Sequence, residues 1–114
     1  MKNFSLAGGL GLDLDGLKEA LSKAAFEIGE AADIAKQSPL MATAKLYRVL
    51  ARVRDCANML KLSAVDCLIL ENTVISDIDS IIRAKKLDSE FSPMEVNFLK
   101  GIQQLLVEFI DNLK

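Results

Sequence analysis

The sequence predicts an all-α protein: an antiparallel up-down-up-down four-helix bundle with a flexible N-terminal arm. Three observations predict it. Four stretches repeat apolar residues at alternating three-and-four spacing, which turns one face of a helix towards packed neighbours. Each stretch is preceded by helix-start chemistry. The four spans, about 14–37, 39–61, 64–86 and 93–113, are each roughly 30–35 Å long at about 1.5 Å per residue, and matched lengths with short connections favour antiparallel neighbours.

The first stripe is Leu17, Leu21, Ala24, Ile28, Ala31 and Ala35, with Asp13 or Asp15 available to cap it. Residues 1–12 before it hold three glycines and no helical period, so they read as an arm. Residues 13–114 then form one four-helix domain, a size that buries a single core without staples. The second stripe is Ala42, Leu46, Val49, Val53, Cys56 and Leu60, started by Ser38-Pro39. The third is Cys67, Glu71, Val74, Ile78 and Ile81, started by Ser63 with Asp66 three residues on, where a carboxylate also suits the helix dipole. The fourth is Leu99, Ile102, Leu106, Phe109 and Leu113. Its start, Phe91-Ser92-Pro93-Met94-Glu95-Val96, offers a cap, a proline at the first helical position, a capping box and a Phe91–Val96 staple.

Two positions strain this pattern. Glu71 falls near the middle of the third apolar face, where an unpaired buried carboxylate is costly. It reads as a glutamate whose tip reaches water, as a buried ion pair fixing register, or as an acid lining a cavity. Cys56 and Cys67 sit equally far from the turn near Leu62. They read as two small buried thiols filling a gap between helices, the usual place of free cysteine, or as a bridge or redox switch.

Composition removes whole classes of function. There is no histidine and no tryptophan among the 114 residues. Without histidine there is no Ser–His or Cys–His nucleophile, no imidazole metal ligand, and no Glu-x-x-His pair for a di-iron bundle. The cluster Gly8-Gly9-Leu10-Gly11 lacks the strand and the lysine of a phosphate loop. The chain therefore reads as no enzyme, with no cofactor and no metal. Its apolar runs are too short to span a membrane, and its N-terminus has no apolar segment of secretory length, so cytoplasmic residence is expected.

Two surfaces remain as candidates. Residues 39–61 carry five basic side chains (Lys45, Arg48, Arg52, Arg54 and Lys61) against Asp55, a local charge of +4 in a chain of net charge −2. Lys45, Arg48 and Arg52 share one side of the helix, with Tyr47 and Arg54 beside them. Residues 13–37 and 63–92 each carry six acids and three bases. The stripe is a solvated face neutralised by its neighbours, a dock for an acidic protein or second subunit, or a site for nucleic-acid phosphates. The second surface is the last helix, where Phe98 and Leu105, flanked by Val107 and Ile110, exceed what one core stripe needs. Phe26, Ile34 and Ile69 also fall off the core faces.

The residues expected to bind a partner are Lys45, Tyr47, Arg48, Arg52, Arg54, Phe98, Leu105 and Ile110. The expected function is protein–protein interaction in an adaptor, inhibitor, immunity or chaperone-like role, in a homo-oligomer. The alternative is a nucleic-acid-associated accessory protein using the second helix, and a binder of apolar small molecules comes third.

Overall fold

The chain folds into four helical stretches and, among the described residues, no strand. The computed structural model describes residues 14–58, 62–85 and 90–113. Helix α1 runs Leu14–Ile34 and α2 runs Pro39–Ala57. Helix α3 is continuous in three parts: an α-helical Ala64–Ile69, a π-helical Leu70–Ile75 and an α-helical Ser76–Ala84. Helix α4 runs Pro93–Asp111. The expected arm and an Asp13 cap lie outside the described residues; Asp15 sits in the first turn of α1.

Three of the expected caps form. Ser38 Oγ accepts from the Met41 amide, and Ser63 Oγ accepts from the Asp66 amide. At α4 the capping box closes in both directions: Glu95 N–H donates to Ser92 Oγ at 3.1 Å, and Ser92 N–H donates to Glu95 Oε1 at 2.8 Å. Pro93 follows at the first helical position, where a missing N–H costs nothing. The Glu95 carboxylate also pairs with Lys85, just past the end of α3. Lys85 Nζ in turn donates to the Glu90 carbonyl at 2.6 Å and lies 4.8 Å from the centroid of the buried Phe91 ring. One ammonium thus ties the end of α3 to the start of α4.

The helices pack in a ring: α1 on α2 and α4, and α3 on α2 and α4. Contacts between α1 and α2 run in opposite sequence directions, Glu30 meeting Lys45 while Glu27 meets Arg48 and Arg52. The first stripe is buried throughout, and Ala25 and Ala32 join it. Five small alanines on that face let α1 approach its two neighbours closely. The second stripe is buried from Ala42 to Cys56, while Leu60 lies outside the described residues. Leu99, Ile102, Leu106 and Leu113 are buried in or just after α4, with Phe109 half-buried.

The third stripe is corrected by one position. Glu71 is exposed, and Leu70 takes the buried place assigned to it, with Val74, Ile75, Ile78, Ile81 and Ile82 completing the face. The cause is the π-helical turn: wider winding shifts the inward register, so both Val74 and Ile75 reach the core and the glutamate turns outward. Cys67, expected on the core face, is half-buried, and its Sγ donates to the Ala57 carbonyl at 2.9 Å. Cys56 is buried and both thiols are free, so no bridge joins them.

Candidate protein-binding surface

The basic stripe of α2 is held by acids of the neighbouring helices. Glu27 of α1 receives two of its cations: Arg48 Nε donates to Oε2 at 3.4 Å, and Arg52 Nη1 lies 3.8 Å from Oε1. Lys45 Nζ lies 3.6 Å from Glu30, and Arg54 lies 4.0 Å from Asp79 of α3, which Arg83 also holds at 2.8 Å. Glu27 Oε1 is buried and accepts no hydrogen bond, so the Arg52 charge is its compensation. Partly exposed pairs of this length are worth at most about 1 kcal/mol each. Their consequence is electrostatic rather than energetic: each of the four cations has an acid of a neighbouring helix within reach, but Glu27 and Asp79 are each shared by two arginines, so the stripe is only partly neutralised within the fold. Tyr47 stands exposed beside them.

A surface concavity runs along the α1–α2 seam beside this stripe. It is lined by Glu19, Lys23, Phe26, Glu27 and Arg52, and further along by Ala20, Asp55 and Cys56. Charges of both signs alternate along it, so it has no single electrostatic character. Burial pushes the Cys56 thiol pKa up, and the nearby Asp55 carboxylate adds to the rise while Arg52 opposes it. A thiol so placed is a poor nucleophile at neutral pH. Among the described residues, no group of three His, Cys, Asp or Glu side chains is placed to hold a metal ion. No helix among them is long and apolar enough to cross a membrane.

The apolar surplus of α4 divides into two flanks. Phe98 and Leu105, one heptad apart, are 46% and 45% exposed and lie on the flank towards α3. Val107, expected beside them, lies instead on the flank towards α1, where it shares a surface with Ser22, Phe26 and Ile110. A step of nine residues turns a helix by about half a revolution, which is why Val107 and Phe98 part company. Ile110 is half-buried and packs on the core, so little of it faces out.

The α3 flank gathers more than the sequence pattern singled out. Ile69 is 43% exposed, as expected; Val65, one turn before it, and Leu68, on another face of α3, are more than half exposed. These two were legible in principle, since both fall off the 67/74/78 stripe. A groove of about 250 Å³ lies between Asp66, Ile69 and Thr73 of α3 and Leu105, Glu108 and Phe109 of α4. Thr73 Oγ1 donates to the Ile69 carbonyl at 2.6 Å inside the π-helical region. Such i−4 bonding satisfies a hydroxyl on the helix wall.

The chain matches no family model, and comparison with characterised proteins and with solved structures gives no match. The functional reading accordingly rests on the surface itself.

Proposed function

We propose that this is a non-enzymatic helical protein that works by binding another protein, in an adaptor, inhibitor, immunity or chaperone-like role. The observation that carries the reading is a pair of exposed apolar side chains lining one groove, Ile69 of α3 and Leu105 of α4, with exposed Val65 one turn before Ile69 and exposed Phe98 one heptad before Leu105 on the same helix faces. Single exposed apolar residues are ordinary, but a contiguous set rimmed by polar groups marks an interaction site. The pairing of Lys45, Arg48, Arg52 and Arg54 within the fold favours this reading over nucleic-acid binding through α2. Two free thiols fit a reducing compartment, and cytoplasmic residence belongs to the proposal. So does self-association, supported by the second apolar flank, where Phe26 is 67% exposed next to Val107.

The test is mild chemical crosslinking of the full chain in the cells it comes from, wild type beside Ile69→Glu/Leu105→Glu. Discrete protein adducts that disappear in the double variant are expected. Absence of adducts, or adducts indifferent to the substitutions, overturns the reading. Sedimentation of the purified protein addresses self-association: a single 12.5 kDa species at every concentration removes that part of the proposal.

A further inference from the structure

We infer that the groove between α3 and α4 receives a basic amphipathic helix from the partner, an inference that rests on the protein-binding reading above and gives that partner a chemistry. Size comes first. At about 250 Å³ the groove is below the roughly 300–1,000 Å³ of small-molecule sites, and it lies open along a helix–helix seam. It suits one or two anchoring side chains of a longer ligand. On each helix one further exposed apolar side chain falls on the groove face, Val65 one turn before Ile69 on α3 and Phe98 one heptad before Leu105 on α4. A helix laid in a groove uses anchors at i, i+4 and i+7, which such a strip can meet along its length.

Charge selects among helices. Asp66 and Glu108 stand at the groove, and among the described residues no cation lines it. The asymmetry extends well beyond the lining. Between Lys61 and Arg83, and again between Lys100 and Lys114, the chain has six acids (Asp66, Glu71, Asp77, Asp79, Glu108 and Asp111) and no Lys or Arg. Asp79 is engaged by Arg54 and Arg83. Asp66 and Glu108 are the acids placed at the groove itself, so a ligand with an apolar face and basic flanks is favoured and an acidic one is repelled.

The π-helical turn supplies an independent reason to look here. An ordinary helix through Leu70–Ile75 would wind more tightly and bond more favourably, yet this chain spends six residues on the wider form. The wider turn sends Leu70, Val74 and Ile75 inward while Ile69 and Thr73 form one wall of the groove. Turns of this kind are frequent at functional sites.

The experiment uses the full chain and two short synthetic amphipathic helices, identical in their leucine face and carrying either lysine or glutamate on the flanks, followed by fluorescence anisotropy. The lysine peptide is expected to bind at least about tenfold more tightly than the glutamate peptide, and less tightly as salt is raised. Ile69→Glu and Leu105→Glu, each at an exposed position and each checked by circular dichroism, should weaken it by about tenfold, whereas Phe26→Glu on the other flank should not. No binding of the lysine peptide, equal binding of both peptides, or equal loss in Phe26→Glu overturns the inference. A dimer in sedimentation that Ile69→Glu converts to monomer also overturns it, because a second copy then fills the groove. That result leaves the protein-binding reading standing. The reading itself falls on the crosslinking result above, independently of either peptide.

Discussion

Removing the Glu95 side chain should destabilise the protein more than removing the Ser92 cap, and the difference should vanish in acid. Ser92→Ala deletes one acceptor of the capping box, the hydrogen bond from the Glu95 amide at 3.1 Å. The freed N–H is exposed and water replaces the oxygen, so the cost is about 1 kcal/mol, the usual value for a cap. For a domain of this length that is a fall in Tm of roughly 3–6 °C. Glu95→Ala deletes the return bond to the Ser92 amide, the negative charge at the helix N-terminus and the partner of Lys85. The Lys85 side chain is 10% exposed and would keep one carbonyl and one aromatic face. Leaving a largely buried ammonium so poorly matched brings the total to about 2–3 kcal/mol, discounted because Glu95 itself is partly in water. Burial by itself would raise the Glu95 pKa. The hydrogen bond from Lys85, the bonds from Ser92 and the Lys85 charge outweigh it and hold the carboxyl below its ordinary value of 4.5. The unfolded chain therefore binds the proton more readily. The network's stabilisation is complete above pH 4.5 and is lost as pH falls through the lower, folded value. Urea unfolding of wild type, Ser92→Ala and Glu95→Gln at neutral pH and near pH 3 checks this, with Glu95→Ala added at neutral pH. The Glu95→Gln deficit should shrink in acid while that of Ser92→Ala persists. A Glu95→Ala cost no larger than that of Ser92→Ala, or a Glu95→Gln deficit equal at both pH values, refutes the reasoning.

Other substitutions probe the core, the surface and the α2 stripe. Gly101→Ala should stabilise by about 0.5–1 kcal/mol, because an added Cβ there meets no atom within 4 Å and alanine is the better helix former; thermal unfolding reads it directly. With a thiol-reactive dye at pH 8, Cys67 should label in the native protein well before the buried Cys56, whose thiol pKa is raised by burial; mass spectrometry of the singly labelled species identifies the site. Replacing Lys45, Arg48 and Arg52 together by Ala should cost about 1–2 kcal/mol, chiefly by leaving Glu27 uncompensated. The wild type should bind random duplex or single-stranded nucleic acid more weakly than micromolar even in low salt; tighter binding that weakens in the triple variant would restore the nucleic-acid reading.

The all-helical fold was legible because its signals are local. Ser38, Ser63 and Ser92 each act through the amide three residues on, and a three-and-four repeat needs no knowledge of its partner. The register of α3 was not legible, because it depends on a change of winding. At ordinary helical spacing Leu70 and Glu71 both fall near the inward face, and the wider winding of the π-helical turn is what leaves Leu70 in the core and Glu71 outside it. The α2 cations were found, but their pairing with Glu27, Glu30 and Asp79 is a tertiary fact. Sequence showed the opposing charge on flanking segments without showing that it comes within 4 Å. Phe98 and Leu105 were read from an excess of apolar residues on one helix. The groove that Leu105 borders also needed Asp66, Ile69 and Thr73, whose nearness to α4 follows from packing alone. Lys85 escaped notice because an isolated lysine after a helix carries no pattern; its role depends on meeting Phe91 and Glu95 across the turn.

Site-specific photo-crosslinking tests the central claim most directly. A photoreactive amino acid is placed singly at Ile69, at Leu105 and, as a control on the same helix, at the exposed Lys100, and the chain is irradiated in its own cells. If the α3–α4 seam is where the protein meets its partner, positions 69 and 105 give the same discrete protein adduct and position 100 gives none. Adducts equal at all three positions, or none at 69 and 105, would contradict the account.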